Sequence, residues 1–384
     1  MAFYFTSFFI ITITAIFILA CSASAATDQR NPNPRRPFKK IYAFGDSFTD
    51  TGNTKSITGP SGFGHVSNPP YGSTFFHRPT NRYSDGRLVI DFVAEALSLP
   101  YLPPYRNIKA AGNASFGVNF AVGGSTAINH AFFVKNNLSL DITPESIQTQ
   151  FLWFNKFLES QGYCTGEAAS DCKEAFDDAL VWVGEIGIND YAYCIGSSIP
   201  DDTIQKLAIT TFTEFLQSLL KKGAKYVVVQ GLPLTGCLPL AMVLFPEDDR
   251  DDIGCVKSVN KQSYNHNAAL QAKLQGLRRQ FPHAIITYAD YWTAYRTVME
   301  NPSRYGFKES FKACCGTGEP YNFDILNTCG TPSAKACPNP SQYINWDGVH
   351  LTEAMYKVVS NMFLNGTLTH PPFSYLLDRK KQVG

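Results

Sequence analysis

Five short apolar runs recur along the chain, and glycine or polar residues follow each of them. β-Branched and aromatic side chains dominate the runs, which is typical of strands buried inside a protein. The run at 226–230, YVVVQ, is apolar at nearly every position, as expected for an interior strand of a parallel sheet. The sequence therefore predicts five strands, at residues 41–44, 117–121, 179–186, 226–230 and 284–289.

Segments with apolar residues at helical spacing lie between the predicted strands. They predict helices at residues 88–99, 144–157, 203–222, 257–280 and 351–364. Strands that alternate with helices favour an α/β fold in which helices cover both faces of a parallel sheet. Because no internal repeat or linker divides the chain, we expect a single domain at 39–370, after a lead-in at 26–38 and before a C-terminal tail at 371–384.

The first 25 residues have a different character from the rest of the chain. Residues 3–20 are mostly apolar, and Ala23-Ser24-Ala25 fits a small-residue cleavage site. We predict a signal peptide at 1–25 and a secreted, extracellular protein that begins near Ala26. No Lys or Arg precedes the apolar run, so an uncleaved membrane anchor is the alternative. No other stretch is long and apolar enough to span a bilayer.

Charge and cysteine usage narrow the functional classes. The 384 residues carry a formal net charge of +1 without a long run of either sign, so we expect neither a nucleic-acid partner nor an electrostatic membrane anchor. Nine cysteines follow the predicted cleavage site, an odd number that leaves at least one thiol unpaired. Close spacing predicts the local disulfides Cys164–Cys172 and Cys237–Cys255. One or two further bonds can form among Cys314, Cys315, Cys329 and Cys337.

Other short motifs agree with secretion and argue against several enzyme classes. Three Asn-x-Ser/Thr sequons fit a secreted glycoprotein, at Asn113, Asn137 and Asn365. No CxxC pair suggests a zinc site, and no Gly-Lys-Ser/Thr ending completes a phosphate-binding loop. Neither Gly-x-Ser-x-Gly nor His-Glu-x-x-His occurs, which argues against an α/β-hydrolase lipase and a metalloprotease. We expect no cofactor and no metal.

A candidate nucleophile follows the first predicted strand. Residues 41–53 read IYAFGDSFTDTGN, so Ser47 comes just after the strand and precedes a polar, turn-like segment. In open α/β sheets the active crevice lies at the carboxyl ends of the strands. Ser47 is therefore well placed to attack a substrate, although a serine in this position can also simply cap a helix.

A serine nucleophile needs a base, and His350 is the strongest of the seven histidines. It lies in NWDGVHLTEA, just before the last predicted helix, with Asp347 three positions earlier. In a loop this spacing lets the carboxylate accept the Nδ1–H of the imidazole, which leaves Nε2 free to take a serine proton. A structural Asp–His turn at a helix start is the alternative.

Acyl transfer also needs donors for the oxyanion, and candidates follow two other strands. Gly123-Gly124 follows the second predicted strand and offers a backbone N–H, and Asn189 follows the third and offers a side-chain amide. The N–H of Ser47 would be the third donor. Because the carboxyl ends of parallel strands share one edge of the sheet, we expect these groups to meet there.

The segments FGDSFTDTGN, NFAVGGST, GEIGIND and DGVH, in that order, resemble the conserved blocks of the plant GDSL esterase/lipase family within the SGNH hydrolase superfamily. The resemblance covers about residues 41–363. It implies a flavodoxin-like three-layer α/β/α sandwich with a central five-stranded parallel sheet. It also implies Ser47 as nucleophile, His350 as base and Asp347 as its partner, with Gly124, preferred to Gly123, and Asn189 as oxyanion donors. Phe48 and Ile188 depart from the usual Leu and Gly of the family.

The expected function is that of a secreted serine esterase or lipase that hydrolyses small-molecule or lipid esters through a Ser-His-Asp triad and an acyl-enzyme. An acyltransferase that uses an alcohol in place of water is the closest alternative. A glycoside hydrolase would instead use paired carboxylates such as Glu185 with Asp190 or Asp290. A catalytically inert protein that binds cell-wall material through its aromatic surface is the third alternative.

Overall fold

A computed structural model describes residues 36–54, 62–108, 114–138, 143–164 and 172–383. The predicted signal peptide, most of the lead-in and the sequon at Asn113 lie outside these residues. Asn137 and Asn365 are described, and both are exposed to solvent.

The described residues contain a six-stranded sheet that includes all five predicted strands. The strands of the described residues are β1 (Lys40–Phe44), β2 (Gly117–Asn119), β3 (Ala179–Val183), β4 (Tyr226–Gln230), β5 (Ile285–Ala289), β6 (Glu309–Ala313), β7 (Cys315–Gly316), β8 (Lys335–Ala336), β9 (Tyr343–Asn345) and β10 (Thr369–His370). The order in the six-stranded sheet is β10-β5-β4-β3-β1-β2; β1 to β5 pair in parallel, and β10 is antiparallel to β5. The predicted five-stranded parallel sheet is thus extended by a two-residue strand, too short to show any alternation.

Helices lie between the strands, and the predicted ones are present with ends shifted by a few residues. The α-helices of the described residues are α1 (Val89–Ala96), α2 (His130–Lys135), α3 (Ile147–Ser160), α4 (Lys173–Phe176), α5 (Ile188–Ala192), α6 (Asp201–Lys221), α7 (Pro239–Leu244), α8 (Lys257–Gln280), α9 (Tyr291–Glu300), α10 (Glu353–Leu364) and α11 (Phe373–Val383). Within this described part of the chain, no helix has both the length and the apolar character needed to cross a membrane.

The hydrophobic core has two halves, one on each face of the sheet. Successive strand residues point to opposite faces, so Tyr42 and Phe44 enter one half while Ile41 and Ala43 enter the other. Helices α3, α6 and α8 cover the first face, and α1, α9, α10 and α11 cover the second. The result is the expected three-layer α/β/α sandwich. Helix α11, in the segment expected as a tail, buries Phe373 and Leu376 against the second face.

The segment 302–341 is rich in Cys, Gly and Pro, yet it contains β6, β7 and β8. Four disulfides join the cysteine pairs Cys164–Cys172, Cys237–Cys255, Cys314–Cys337 and Cys315–Cys329. Both predicted local bonds are therefore present, and Cys194 is the unpaired cysteine of the described residues. The backbone N–H groups of Cys314 and Cys315 also donate to Asn345 O and Trp346 O, at 3.0 and 2.6 Å. The disulfide-bonded segment is thus attached to the strand that leads into Asp347.

A buried ion pair fixes the loop before α1. The guanidinium of Arg82 donates to both carboxylate oxygens of Asp91, through Nε and Nη2 at 2.8 Å each. Both side chains are less than one-tenth exposed. Asp91 also accepts the N–H of Leu88 at 2.9 Å and so caps the first turn of α1.

We expect Arg82→Met to reduce the free energy of unfolding by about 3–5 kcal/mol, because it leaves the Asp91 charge buried without its partner. Urea unfolding followed by tryptophan fluorescence measures this change. Lys39→Met is the matched control, since Lys39 is 71% exposed in its pair with Asp178 and should cost at most about 1 kcal/mol. Equal losses in the two variants would contradict the prediction.

Candidate active site

Ser47 lies in a tight turn at the carboxyl end of β1. The N–H groups of Thr49 and Asp50 donate to Asp46 O, at 3.1 and 2.9 Å. Two glycines make room for the turn. Gly45 has φ +141°, and a Cβ on Gly184 would come within 2.1 Å of Thr49 Oγ1. The turn can therefore pack directly on the end of β3 only because these positions lack side chains.

Asp50 connects the serine turn to the segment that follows β2. Its carboxylate accepts the N–H groups of Gly52 and Asn53 at 2.7 Å each, and that of Gly123 at 2.9 Å. Burial raises its pKa despite the hydrogen bonds that favour the charged form. The composition around Asp50 predicted a turn, but no local pattern indicates the bond to Gly123, 73 positions away.

The structure brings Ser47, His350 and Asp347 together. Ser47 Oγ lies 2.7 Å from His350 Nε2, and His350 Nδ1 lies 2.8 Å from the nearer carboxylate oxygen of Asp347. The Asp347 carboxylate also accepts the backbone N–H of His350 at 2.8 Å. All three side chains are at most 5% exposed. The imidazole is thus held between a hydroxyl and a carboxylate, with Nδ1–H donating to Asp347.

Electrostatics keep Asp347 ionised. Burial alone would raise the pKa of this carboxyl, but His350 and hydrogen bonds from His350 and Tyr71 lower it to about 2. The Tyr71 hydroxyl donates to Asp347 at 2.7 Å. An ionised Asp347 favours the tautomer in which Nε2 of His350 faces Ser47 without a proton.

Aromatic side chains enclose the His350 ring. Tyr83 lies over it with ring centroids 4.5 Å apart and planes inclined by 32°, and Phe48 contacts it with centroids 5.3 Å apart. Phe48 replaces the usual Leu of the family, so the change preserves an apolar contact. The packing of Tyr71 and Tyr83 here was not predicted, because no local pattern indicates which distant loop will cover a histidine.

Gly123 and Gly124 differ in the availability of their N–H groups. The N–H of Gly123 donates to Asp50 and to Thr54 Oγ1, both at 2.9 Å. In the described part of the chain, the N–H groups of Gly124 and Ser47 donate to no acceptor. These contacts favour Gly124 over Gly123 as a donor that a substrate could use.

Asn189 is held at the same edge by its side-chain amide. Its Nδ2 donates to Asp46 Oδ2 and to Ser125 O, at 2.9 Å each. The next residue, Asp190, accepts the N–H groups of Ala127 and Ile128 at 2.8 and 2.7 Å. Helix α5 and the segment after β2 are therefore locked together, with Asn189 beside the residue that precedes Ser47.

Three buried carboxyl groups lie beneath this edge. Burial raises the pKa of Asp46 to about 6, against the hydrogen bond from the Phe48 N–H, and burial raises the pKa of Asp190 to about 7. Burial and then the Asp46 charge raise the pKa of Glu185 well above its usual range. Neither oxygen of Glu185 accepts a hydrogen bond in the described residues. A protonated, neutral Glu185 avoids a second negative charge beside Asp46.

This cluster makes stability depend on pH. Carboxyls whose pKa is higher in the folded than in the unfolded chain stabilise the fold fully only below pH 4, and this stability is lost as pH rises through 6 to 7. We expect these carboxyls to lower the free energy of unfolding between pH 4 and pH 8, against the opposite contribution of buried His266, whose pKa is lowered to about 3 by burial. In Glu185→Gln, which cannot ionise, the change in the free energy of unfolding over this range should be less negative than in the wild type. Urea unfolding at several pH values measures it, with exposed Glu174→Gln as control; identical slopes in wild type and Glu185→Gln would contradict it.

The described residues contain no group of three or more His, Cys, Asp or Glu arranged to hold a metal ion. Asp290, one carboxylate of the glycosidase alternative, caps α9 by accepting the N–H and hydroxyl of Thr293 at 3.1 and 2.7 Å. Glu185 and Asp190, the other carboxyls of that alternative, are fully buried in the cluster with Asp46.

Sequence comparison supplies the family. The model of GDSL-like Lipase/Acylhydrolase matches residues 41–363. The chain belongs to this family. A GDSL esterase/lipase of Arabidopsis thaliana is 62% identical over 371 residues, 95% of each chain. Acetylajmalan esterase 2 of Rauvolfia serpentina is 40% identical over 333 residues, 84% of this chain and 88% of its own.

Among solved structures, a catalytic mutant of an acetylxylan esterase from Geobacillus stearothermophilus aligns with 85% of this chain and 93% of its own, at 12% identity and a TM-score of 0.40. The resemblance to the plant GDSL esterase/lipase family is confirmed by the family match and the plant relatives. This GDSL family member is a carboxylic ester hydrolase that acts on small-molecule esters.

Proposed function

We propose that the protein is a secreted serine esterase in which Ser47, His350 and Asp347 form a catalytic triad. The observation that carries the proposal is the 2.7 Å separation of Ser47 Oγ and His350 Nε2, with Asp347 on the other ring nitrogen. This is the arrangement that nucleophilic acyl transfer requires.

The reaction has two steps. In the first, His350 Nε2 takes the Ser47 proton while Ser47 Oγ bonds to the ester carbonyl carbon. The tetrahedral oxyanion accepts hydrogen bonds from the N–H groups of Ser47 and Gly124 and from the Asn189 amide. The alcohol then leaves with the proton from His350, and water attacks the acyl-enzyme in the same way. For the oxyanion to bind Asn189, one amide hydrogen must leave Ser125 O, while the bond to Asp46 keeps the amide oriented.

We expect Asn189→Ala to lower kcat by about 10²–10³-fold, the usual effect of removing one oxyanion donor, with little change in KM. Steady-state hydrolysis of p-nitrophenyl butyrate measures the effect. Asn136→Ala, which removes an exposed amide that bonds Phe132 O at the end of α2, is the control. A kcat for Asn189→Ala within threefold of wild type would remove Asn189 from the mechanism.

Secretion belongs to the same proposal. It is supported by the predicted signal peptide at 1–25 and by four disulfides, which persist mainly in oxidising compartments. Exposure makes Asn137 and Asn365 accessible to glycosylation. Signal removal would leave no stable membrane anchor, and no nucleic-acid partner is expected from the charge balance.

A fluorophosphonate probe tests the chemistry directly. Ser47 Oγ should bond to phosphorus as fluoride leaves and His350 takes the proton, and peptide mass spectrometry should find the modification on Ser47. Ester hydrolysis should disappear in proportion to the modified fraction. Hydrolysis that persists after complete modification of Ser47, or modification of another residue that abolishes it, would overturn the assignment. Product analysis with and without added alcohol separates hydrolysis from acyl transfer.

A further inference from the structure

A largely apolar cavity of about 280 Å³ lies among α5, the loop that follows it, α7 and the first turns of α8. Its volume is close to the lower end of the range for small-molecule sites. Aliphatic, aromatic and thiol side chains form much of the wall, including Ile188, Tyr191, Cys194, Leu238, Ala241 and Leu244. A cavity with this lining suits a hydrocarbon chain better than a polar ligand.

The cavity adjoins two segments that carry the proposed catalytic groups. Ile188 lines it and immediately precedes Asn189 on α5. At the start of α7, the N–H of Leu240, another lining residue, donates to Gly348 O at 2.9 Å. Gly348 lies between Asp347 and His350. One wall of the cavity is therefore attached to the helix of the oxyanion donor, and another to the loop of the base.

The outer rim of the cavity is also apolar. Ile195 and Leu244 line it, yet they are 41% and 45% exposed. Large aliphatic side chains exposed at the rim of a cavity provide a surface over which a hydrocarbon chain can enter.

We propose that this cavity receives the acyl chain of the ester substrate, and that the enzyme prefers unbranched aliphatic acyl groups longer than acetyl. The inference rests on the proposed function. With the ester carbonyl bonded to Ser47 and its oxygen at Gly124 and Asn189, the acyl carbons beyond it run beside α5. Ile188, which replaces the usual Gly of the family, then contacts the chain at the start of the cavity.

A series of p-nitrophenyl esters from acetate to dodecanoate tests the preference. We expect kcat/KM to rise by about threefold to fourfold for each methylene that enters the cavity, and then to level off when the cavity is full. Ala241→Phe, which fills the cavity, should lower the octanoate-to-acetate ratio of kcat/KM at least tenfold. Val243→Phe is the matched control, because Val243 is 46% exposed on the same helix and does not line the cavity. An unchanged ratio in Ala241→Phe would overturn the proposal.

Cys194 provides an independent reporter inside the cavity. Burial raises the pKa of its thiol to about 11, so alkylation by N-ethylmaleimide at pH 9 should be slow but measurable by mass spectrometry of its peptide. Modification of Ser47 by a decyl fluorophosphonate should slow this alkylation at least tenfold, whereas an ethyl fluorophosphonate should not.

The outcomes separate the two proposals. If the decyl reagent modifies Ser47 but does not slow the alkylation of Cys194, the cavity assignment is overturned and the serine mechanism stands. Failure of both reagents to modify Ser47 would overturn both proposals, whereas failure of the decyl reagent alone would overturn the cavity assignment. If Cys194 does not react even in the free enzyme, the ester series with Ala241→Phe decides the cavity assignment alone.

Discussion

Replacement of Ser47 by alanine is expected to lower kcat for ester hydrolysis by about 10⁶-fold, with the fold retained. Without Oγ, no acyl-enzyme can form. His350 could then activate only a water molecule, which the site does not hold in position for attack. A small residual rate over the uncatalysed reaction should remain, because the oxyanion donors are unaffected. Stopped assays with p-nitrophenyl butyrate at high enzyme concentration measure it.

The matched control for this change is Ser360→Ala. Ser360 is fully buried on α10, and its hydroxyl donates to Lys357 O at 2.9 Å, so the variant also loses a buried serine hydroxyl. Its kcat should stay close to wild type, and the circular dichroism of both variants should match the native protein. A well-folded Ser47→Ala protein that retains esterase activity would refute the mechanism.

Asp347→Asn is expected to lower kcat by about 10⁴-fold while changing KM little. The amide would present an N–H to His350 Nδ1, which stabilises the tautomer that carries its proton on Nε2. In that tautomer Nε2 cannot accept the Ser47 proton, although the three side chains keep nearly the same positions. Loss of the negative charge also removes the stabilisation of the imidazolium that forms during the reaction.

Tyr71→Phe separates the tautomer effect from a general disturbance of Asp347. It removes the 2.7 Å hydrogen bond to the carboxylate but leaves the charge and the Nδ1 contact in place. We expect a decrease in kcat of about tenfold to a hundredfold, as for loss of one hydrogen bond to a charged group. Equal losses in Tyr71→Phe and Asp347→Asn would show that the tautomer argument is incorrect.

Local sequence patterns were sufficient to predict the five parallel strands of the sheet. The apolar runs that became β1 to β5 have the length and β-branched composition of buried strands, so periodicity alone indicated them. Strand β10 could not be found in this way, because two residues show no period and its pairing depends on the position of β5. The short strands in 302–341 depend on disulfides and loop packing, which no local pattern encodes.

The sequence also indicated part of the candidate site. Ser47 and Asn189 follow predicted strands, and the shared edge of a parallel sheet explains why they lie near each other. The contact between Ser47 and His350 joins positions 303 residues apart, and it was suggested by the spacing of Asp347 and His350 and by the order of the family blocks. The packing of Tyr83 over His350 and the burial of Glu185 near Asp46 arise from tertiary structure, so no local sequence pattern indicates them.

The adjacent cysteines Cys314 and Cys315 have a consequence for where the protein can work. Their disulfides close loops of 23 and 14 residues, and their N–H groups bond to the residues just before Asp347. Reduction of both bonds would release these loops and relax the backbone that positions the acid and the base. Folding in an oxidising compartment would therefore favour correct assembly of the proposed triad, and we expect a chain folded in a reducing cytosol to be poorly ordered around Asp347 and His350.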